Sequence, residues 1–166
     1  MSTPAEFSQW LHTTAWATAL RESEVVFPLL LVAHVLGLVG LVGSIFIVDL
    51  RLLGWRFRSV PALPFVRSLL RVTWVGFWVL AVSGVPLLAA QAGKLYGNPY
   101  LRAKLVLLVV VGVNAFVFHR VVSARIESWS EPAATPRPAK VVATVSLLSW
   151  TLLVFVSRFI PLADAS

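Results

Sequence analysis

One histidine stands inside a long apolar run and is the side chain best placed to do chemistry. His34 is the tenth residue of the run 25–48, which is otherwise free of ionisable groups until its end. An imidazole can bind a metal or haem iron, or relay a proton. Ionisable residues at membrane depth are costly to place, so each is a functional hypothesis. A histidine that only hydrogen-bonds a neighbouring helix is the alternative.

Three further polar side chains are predicted near the depth of His34. Lys104, Arg158 and Gln91 lie at the ends of other apolar runs, on the same side of the membrane. Such a group can neutralise the propionates of a haem ligated by His34, bind an anionic lipid headgroup or contact the edge of a quinone ring. Interfacial anchoring, a common role of lysine and arginine, is the alternative.

Small residues recur along one face of the helix that carries His34. The stripe consists of Ala33, Gly37, Gly40 and Ser44. Small side chains allow another helix or a flat cofactor to approach closely, so Gly37 is a candidate cofactor contact, with helix packing as the plainer use. A homodimer through this stripe would bring two His34 side chains near one axis.

The remaining polar residues at membrane depth are interpreted as structural. Asp49 ends the first run and is expected to form a salt bridge with Arg51, with another arginine of the following loop or with Arg120; proton uptake is the alternative. Asn114, in the third run, needs a partner such as Ser83 or a backbone carbonyl that Pro86 frees in the second run.

The other two histidines are not expected at the level of His34. His119 ends the third run, and a rise of 1.5 Å per residue puts it about 16 Å from His34 along the membrane normal. Haem ligation by two histidines normally requires both at one level, so this pair is not predicted. His12 precedes the first run.

These side chains belong to a chain with the composition of a membrane protein. Of 166 residues, 58% are hydrophobic and 13% are charged, with a mean hydropathy of +0.86. Soluble domains carry roughly 25% charged residues, so most soluble enzyme classes are excluded. The lack of cysteine excludes disulfides, thiolate zinc sites and iron–sulfur clusters. The net charge of +7 is confined to short segments between apolar runs, so no nucleic-acid partner is predicted.

Four predicted spanning helices position the polar residues. Their approximate ranges are 25–48, 72–92, 100–119 and 140–160, close to the length of about 20 residues that a span requires. Because unpaired backbone is not tolerated in lipid, we expect an all-α fold, a four-helix transmembrane bundle, in one domain over 1–166. The pattern of residues 4–21 predicts an N-terminal interfacial amphipathic helix. Thr3 is its expected N-cap, and Glu6, three residues later, completes a capping box.

The distribution of lysine and arginine predicts the orientation. Nine of them lie in the loops 49–71 and 120–140, and five lie on the other side. Cytoplasmic loops carry the excess of positive charge, so both loops are assigned to the cytoplasm and both termini to the periplasmic side. The proline-rich stretch within 120–139 predicts a cytoplasmic linker.

Several motifs together resemble an uncharacterised family of bacterial four-helix membrane proteins. The resemblance covers nearly all of 25–160 and implies a location in the bacterial inner membrane, among membrane lipids. The motifs that carry it are Ala33-His34-Val35-Leu36-Gly37-Leu38, Val48-Asp49-Leu50-Arg51-Leu52-Leu53-Gly54, Phe77-Trp78, Ser83-Gly84, Asn98-Pro99-Tyr100-Leu101-Arg102-Ala103-Lys104-Leu105, Asn114-Ala115 and Ser157-Arg158-Phe159-Ile160.

More distantly, the order of motifs is similar to the membrane domain of copper-resistance protein D and to HemJ-type protoporphyrinogen oxidases. Both have an intramembrane histidine on an early helix, a Ser/Thr-Gly pair in the next span and a lysine that opens a later one. The resemblance implies a haem- or metal-related role, with His34 and Lys104 at the matching positions. The only methionine is Met1, so the chain lacks the soft ligands that a Cu(I) route needs.

The sequence therefore predicts a small inner-membrane protein that binds haem b, in electron transfer or haem handling. His34 would be an axial ligand, with Lys104 and Arg158 at the propionates. The second ligand is left open: the His34 of a second copy, a solvent or amine ligand, or none. One alternative is a non-catalytic subunit or assembly factor of a larger membrane complex, and another is a metal or small-solute permease. Whether the chain is an enzyme is left open.

Overall fold

The computed structural model describes residues 3–57, 59–123 and 135–161, and these residues form helices without any strand. The α-helices are α1 Pro4–Thr13, α2 Ala15–Glu22, α3 Val26–Leu53, α4 Ala62–Ala90, α5 Ala92–Leu95, α6 Pro99–Val117 and α7 Arg137–Phe159. A π-helical segment, Phe118–Ser123, continues α6. The predicted all-α class is confirmed.

Four of the helices are long and apolar enough to cross a membrane. They comprise Val26–Leu53, Leu63–Ala90, Pro99–Arg120 and Arg137–Phe159. Large apolar side chains are exposed along all four, for example Leu36, Val82, Val109 and Phe155. Such exposure is expected where lipid, not water, surrounds the helices.

The first two spanning helices extend further than the sequence indicated. α3 continues through Asp49 to Leu53 and ends at Gly54, whose φ of 74° is a left-handed conformation that glycine adopts without strain. α4 begins at Ala62, ten residues before the predicted start at 72. The prediction ended each span at charged residues, but a helix continues through arginines whose long side chains reach the polar interface.

The N-terminal segment forms two short helices, not the single helix predicted over 4–21. The expected capping box is present: the Thr3 hydroxyl accepts from the Glu6 amide, and the Glu6 carboxylate accepts from the Thr3 amide. The helix breaks at Thr14, which has extended backbone angles. The hydroxyls of Thr13 and Thr14 donate to carbonyls of the preceding turn. Such local hydrogen bonds compete with helix continuation.

The two ends of the bundle are called the N-terminal end and the loop end. The N-terminal end carries α1, α2, α5, the beginning of α3 and the end of α4, and the loop end carries the turn at Gly54 that joins α3 to α4. α1 and α2 contact the end of α4 through the Ala90 carbonyl. This carbonyl accepts a 2.9 Å hydrogen bond from Arg21 and lies 3.0 Å from His12 Nδ1. The N-terminal segment is thus part of the bundle.

α3 is the central helix of the bundle. It packs along α4 on one side and against α7 on another, and α6 packs on α7. Two apolar clusters hold these helices together. The cluster towards the loop end contains Val48, Leu52, Val66, Ala139 and Ala143, and the second contains Leu41, Val111, Trp150 and Leu153.

α4 and α6 form no extended interface within the described ranges. α4 meets the π-helical segment through Trp74 and His119, whose stacked rings have centroids 6.3 Å apart. Trp74 is twelve residues into α4, so this contact lies in the half of the bundle nearer the loop end. Within the described ranges, α4 and α6 are therefore not packed against each other along their length.

Candidate functional site

α3 and α4 meet at backbone distance around two glycines. A Cβ atom on Gly76 would lie 2.6 Å from the Leu41 nitrogen and 2.9 Å from the Gly37 oxygen, and one on Gly37 would lie 3.1 Å from the Leu80 nitrogen. Any larger side chain at Gly76 would force the helices apart. Helix packing was predicted as one use of Gly37, whereas Gly76 was not predicted; it shares one helical face with Ser83 and Gly84.

His34 reaches from α3 to α4 and contacts Ser83. The Nδ1 atom of His34 lies 3.0 Å from the Ser83 hydroxyl oxygen. That hydroxyl has one hydrogen, and a 2.6 Å contact with the Val79 carbonyl uses it. The Ser83 oxygen therefore accepts from the Nδ1–H of His34, and the Leu80 carbonyl is a further acceptor beside the ring. In this neutral tautomer Nε2 carries the lone pair that a metal requires.

The space for the imidazole ring comes from Gly84. A Cβ atom on Gly84 would lie 2.9 Å from Cε1 and 3.3 Å from Nδ1 of His34. The Ser83-Gly84 pair thus has two complementary functions, since the serine orients the ring and the glycine leaves room for it. Neither residue was predicted to contact His34 from the sequence.

Lys104 is the cation associated with His34. It lies on α6, is half-buried, and is close enough to His34 to interact with it electrostatically. The predicted role of Lys104 at a cofactor bound by His34 stays a prediction. The α6 helix begins at Asn98, whose side-chain oxygen accepts from the amides of Tyr100 and Leu101.

Two predicted members of the site lie farther from His34. Gln91 is the C-cap of α4, eight residues beyond Ser83, or about 12 Å along the helix axis. Arg158 is exposed in the last turn of α7, next to Phe159, which stacks on Tyr100 of α6. Arg158 and Lys104 thus share the N-terminal end of the bundle, but in the described structure no hydrogen bond joins Gln91 or Arg158 to His34.

The small-residue stripe faces α4 of the same chain. Gly37 packs against Val79 and Leu80, and the Ser44 hydroxyl lies 2.8 Å from the hydroxyl of Thr73. Close helix packing is therefore what this stripe does in the single chain. Gly37 has no described role at a cofactor, and a homodimer through the stripe stays a prediction.

At the loop end, the described structure lacks the salt bridge that was expected for Asp49. Asp49 is 2% exposed and its hydrogen-bond partner is Ser146 of α7. Arg51 instead donates from Nε and Nη2 to the Val60 carbonyl, and Arg120 lies 4.9 Å from the centroid of the Phe116 ring. No ion pair of Asp49 occurs among the described residues. The arginines satisfy backbone and aromatic partners near the surface, whereas Asp49 turns inward towards α7.

Asn114 has a different partner from those expected. Its side-chain nitrogen donates to the Val142 carbonyl of α7 at 3.3 Å. Neither Ser83 nor a carbonyl of α4 was available, because α6 packs on α7 and not along α4. Asn114 is thus a structural contact between α6 and α7.

The other histidines are separate from His34, as predicted. His119 stacks on Trp74, which lies nine residues before Ser83 on α4, or about 14 Å along the helix. His12 Nδ1 lies beside the carbonyl of Ala90 and 3.2 Å from Arg21. Within the described ranges no three residues of the metal-ligating types come together.

The fold and the site define an all-α membrane-spanning bundle with one oriented intramembrane histidine. The chain belongs to a family of unknown function, DUF6644, whose model matches residues 23–163. No curated protein and no solved structure is similar to this chain at a significant level. The comparisons therefore show no likeness to copper-resistance protein D or to HemJ-type oxidases.

Proposed function

We propose that the protein binds haem b in the bacterial inner membrane, with His34 as an axial ligand. The observation that carries the proposal is the orientation of His34 by Ser83, which leaves Nε2 as the ring atom with a lone pair. Histidines that bind metals commonly donate their other ring N–H to a fixed acceptor, which sets the tautomer and the ring orientation.

The surroundings of His34 fit a flat, amphipathic and anionic group. His34 is partly exposed, so an apolar macrocycle could reach it from the lipid. Lys104, on α6, would neutralise a propionate. Arg158, at the same end of the bundle, is exposed and would serve a second propionate.

A bound haem would supply one-electron redox chemistry whose potential depends on its axial ligands and on burial. The protein itself would hold the haem and orient its histidine ligand. Ser83 and Gly84 fix the ring of His34, and the membrane-spanning helices exclude water from it. The second axial ligand would be the His34 of another copy, a solvent or amine ligand, or none. The roles that we propose are electron transfer or haem handling, with both termini on the periplasmic side.

The test is a reduced-minus-oxidised visible spectrum of detergent-purified protein, before and after addition of haem. We expect a b-type band for the wild type and for His119→Ala, which removes a histidine at another depth. We expect no band for His34→Ala. A band that survives in His34→Ala would exclude His34 as the ligand, and no band in the wild type even with added haem would overturn the proposal.

A second candidate function, a membrane subunit of a larger complex, is favoured by the exposure of α6. Val111 is the one residue of α6 that is buried in the described structure, and a Cβ atom on Gly112 would meet nothing within 4 Å. A helix with so few intramolecular contacts can pack against another membrane protein through its small residues. Co-purification of a stoichiometric partner after mild solubilisation, lost when Gly112 is replaced by leucine, would support this function.

A further inference from the structure

A second buried polar group lies at the opposite end of α3 from His34. Asp49 is 2% exposed, and it lies one turn before the end of the helix, where α3 packs against α7. The apolar cluster at the loop end surrounds it, with Val48 and Leu52 from the same helix and Ala143 from the facing helix. A carboxyl group is therefore enclosed by apolar side chains and helix backbone.

Within the described structure Asp49 has one polar partner, which does not satisfy the whole carboxyl group. The partner is Ser146 of α7, itself buried. The Oδ2 atom of Asp49 is buried without a hydrogen-bond partner among the described residues. A serine hydroxyl supplies a single donor, so it can serve only one of the two oxygens.

Among the described residues, no cation on the elements around Asp49 forms an ion pair with it. On α3, Arg51 donates to the Val60 carbonyl. On the π-helical segment, Arg120 lies over the Phe116 ring. The cations that α4 and α7 carry towards the loop end are all exposed: Arg67, Arg71, Arg137 and Lys140. None of these forms an ion pair with Asp49 in the described structure.

A buried carboxylate with neither a counter-charge nor a full set of donors is much more costly than the neutral acid. We propose that Asp49 is a proton-binding site: its carboxyl group carries a proton in the resting protein and releases it when water or a cation enters the α3–α7 interface. The ligand is the proton itself, because the enclosed carboxyl and one hydroxyl provide too few oxygens for a metal cation. The site is independent of haem binding at His34.

The composition of the chain makes this proton directly observable. Within the ranges that the structure describes, Asp49 is the one acidic residue that lies in a spanning helix. Infrared spectroscopy of the wild-type protein in lipid at neutral pH is expected to show a protonated-carboxyl C=O band that shifts in deuterated water. Asp49→Asn should remove the band, and Ser146→Ala should shift its frequency by removing the hydrogen bond.

A chemical label gives a second measurement that needs no variant. Dicyclohexylcarbodiimide reacts with protonated carboxyl groups in apolar surroundings, and its adducts can be located by mass spectrometry. Glu6 and Glu22 are exposed, whereas the label requires apolar surroundings, so Asp49 should be labelled more strongly than either of them.

The infrared result decides the proposal. The lack of a deuterium-sensitive protonated-carboxyl band in the folded wild type would overturn it, whether or not Asp49→Asn folds. A band that remains in a folded Asp49→Asn protein would also overturn it, because the proton would then belong to another group.

Discussion

α3 carries two polar residues that differ in depth, in facing helix and in what their surroundings allow. His34 faces α4 and Asp49 faces α7, and their separation of fifteen positions in the sequence corresponds to about 22 Å along the helix. A serine on the facing helix is the hydrogen-bond partner in each case, Ser83 for the histidine and Ser146 for the aspartate.

The difference between the two places arises from the facing helix. At His34, Gly84 of α4 leaves room for a ring, and His34 itself is partly exposed. At Asp49, apolar side chains such as Leu52 and Ala143 surround the carboxyl group, and one of its oxygens has no partner among the described residues. We therefore propose the first place for a ligand from outside and the second for a proton. Four predictions test this contrast, in order of decreasing effect.

The largest effect is expected at Gly76, which allows α3 and α4 to approach. Gly76→Ala places a Cβ atom 2.6 Å from the Leu41 nitrogen, and backbone cannot move aside as a side chain can. We expect a loss of about 3 kcal/mol in the free energy of unfolding, measured by denaturant titration in mixed micelles. The control is Gly112→Ala, whose Cβ meets nothing within 4 Å. Equal stability of the two variants would show that the close approach is unimportant.

The second-largest effect is expected when Ser83, the serine that contacts His34, is replaced. Ser83→Ala removes the acceptor of the His34 Nδ1–H and should weaken haem binding about 10–100-fold, measured by titration of haem into the apoprotein. Ser146→Ala is the matched control and should leave haem affinity unchanged, because its hydroxyl serves Asp49. A similar loss in both variants would indicate general destabilisation and would remove the contrast between the two places.

A smaller effect is expected at the beginning of α6, the helix that positions Lys104. Asn98→Ala removes the N-cap and the 2.8 Å hydrogen bond from its side-chain nitrogen to the Ile160 carbonyl. Loss of an N-cap costs about 1 kcal/mol, which thermal unfolding can measure. Haem affinity should fall as well because Lys104 is displaced, while the infrared band of Asp49 stays unchanged. An altered Asp49 band would show that the two ends of the bundle are coupled.

The smallest effect is expected at Asn114. Its 3.3 Å hydrogen bond to the Val142 carbonyl joins two membrane helices, and such bonds contribute about 0.6 kcal/mol on average. Asn114→Ala should therefore change stability only slightly and leave haem binding intact. A loss of haem in this variant would place Asn114 at the His34 site, contrary to the contacts described.

Sequence reasoning predicted the parts of the fold that depend on local pattern. The spans follow from apolar length, the capping box follows from Thr3 and Glu6, and the separation of His34 from His119 follows from helical rise. These predictions need no knowledge of which helices are neighbours.

Predictions that depend on which helices lie next to each other were less accurate. The partner of Asn114 and the environment of Asp49 depend on α7 lying between α3 and α6, and hydropathy does not determine that order. Gly76 and Gly84 were missed as contacts of α3 because a glycine in an apolar run has no side chain to indicate the face it presents. His34 was recognised as a candidate, but its tautomer could be inferred only once Ser83 and Val79 were seen together.

The described contacts between α6 and α7 do not involve the segment that links the two helices along the chain. Asn98 binds the carbonyl of Ile160 and Asn114 binds that of Val142, so one bond lies near the N-terminal end and the other lies deeper in the pair. Both bonds, and the apolar contacts around them, lie outside 124–134. A chain cut by protease within that stretch should therefore keep α7 in place, and two co-expressed fragments divided there should assemble into one protein.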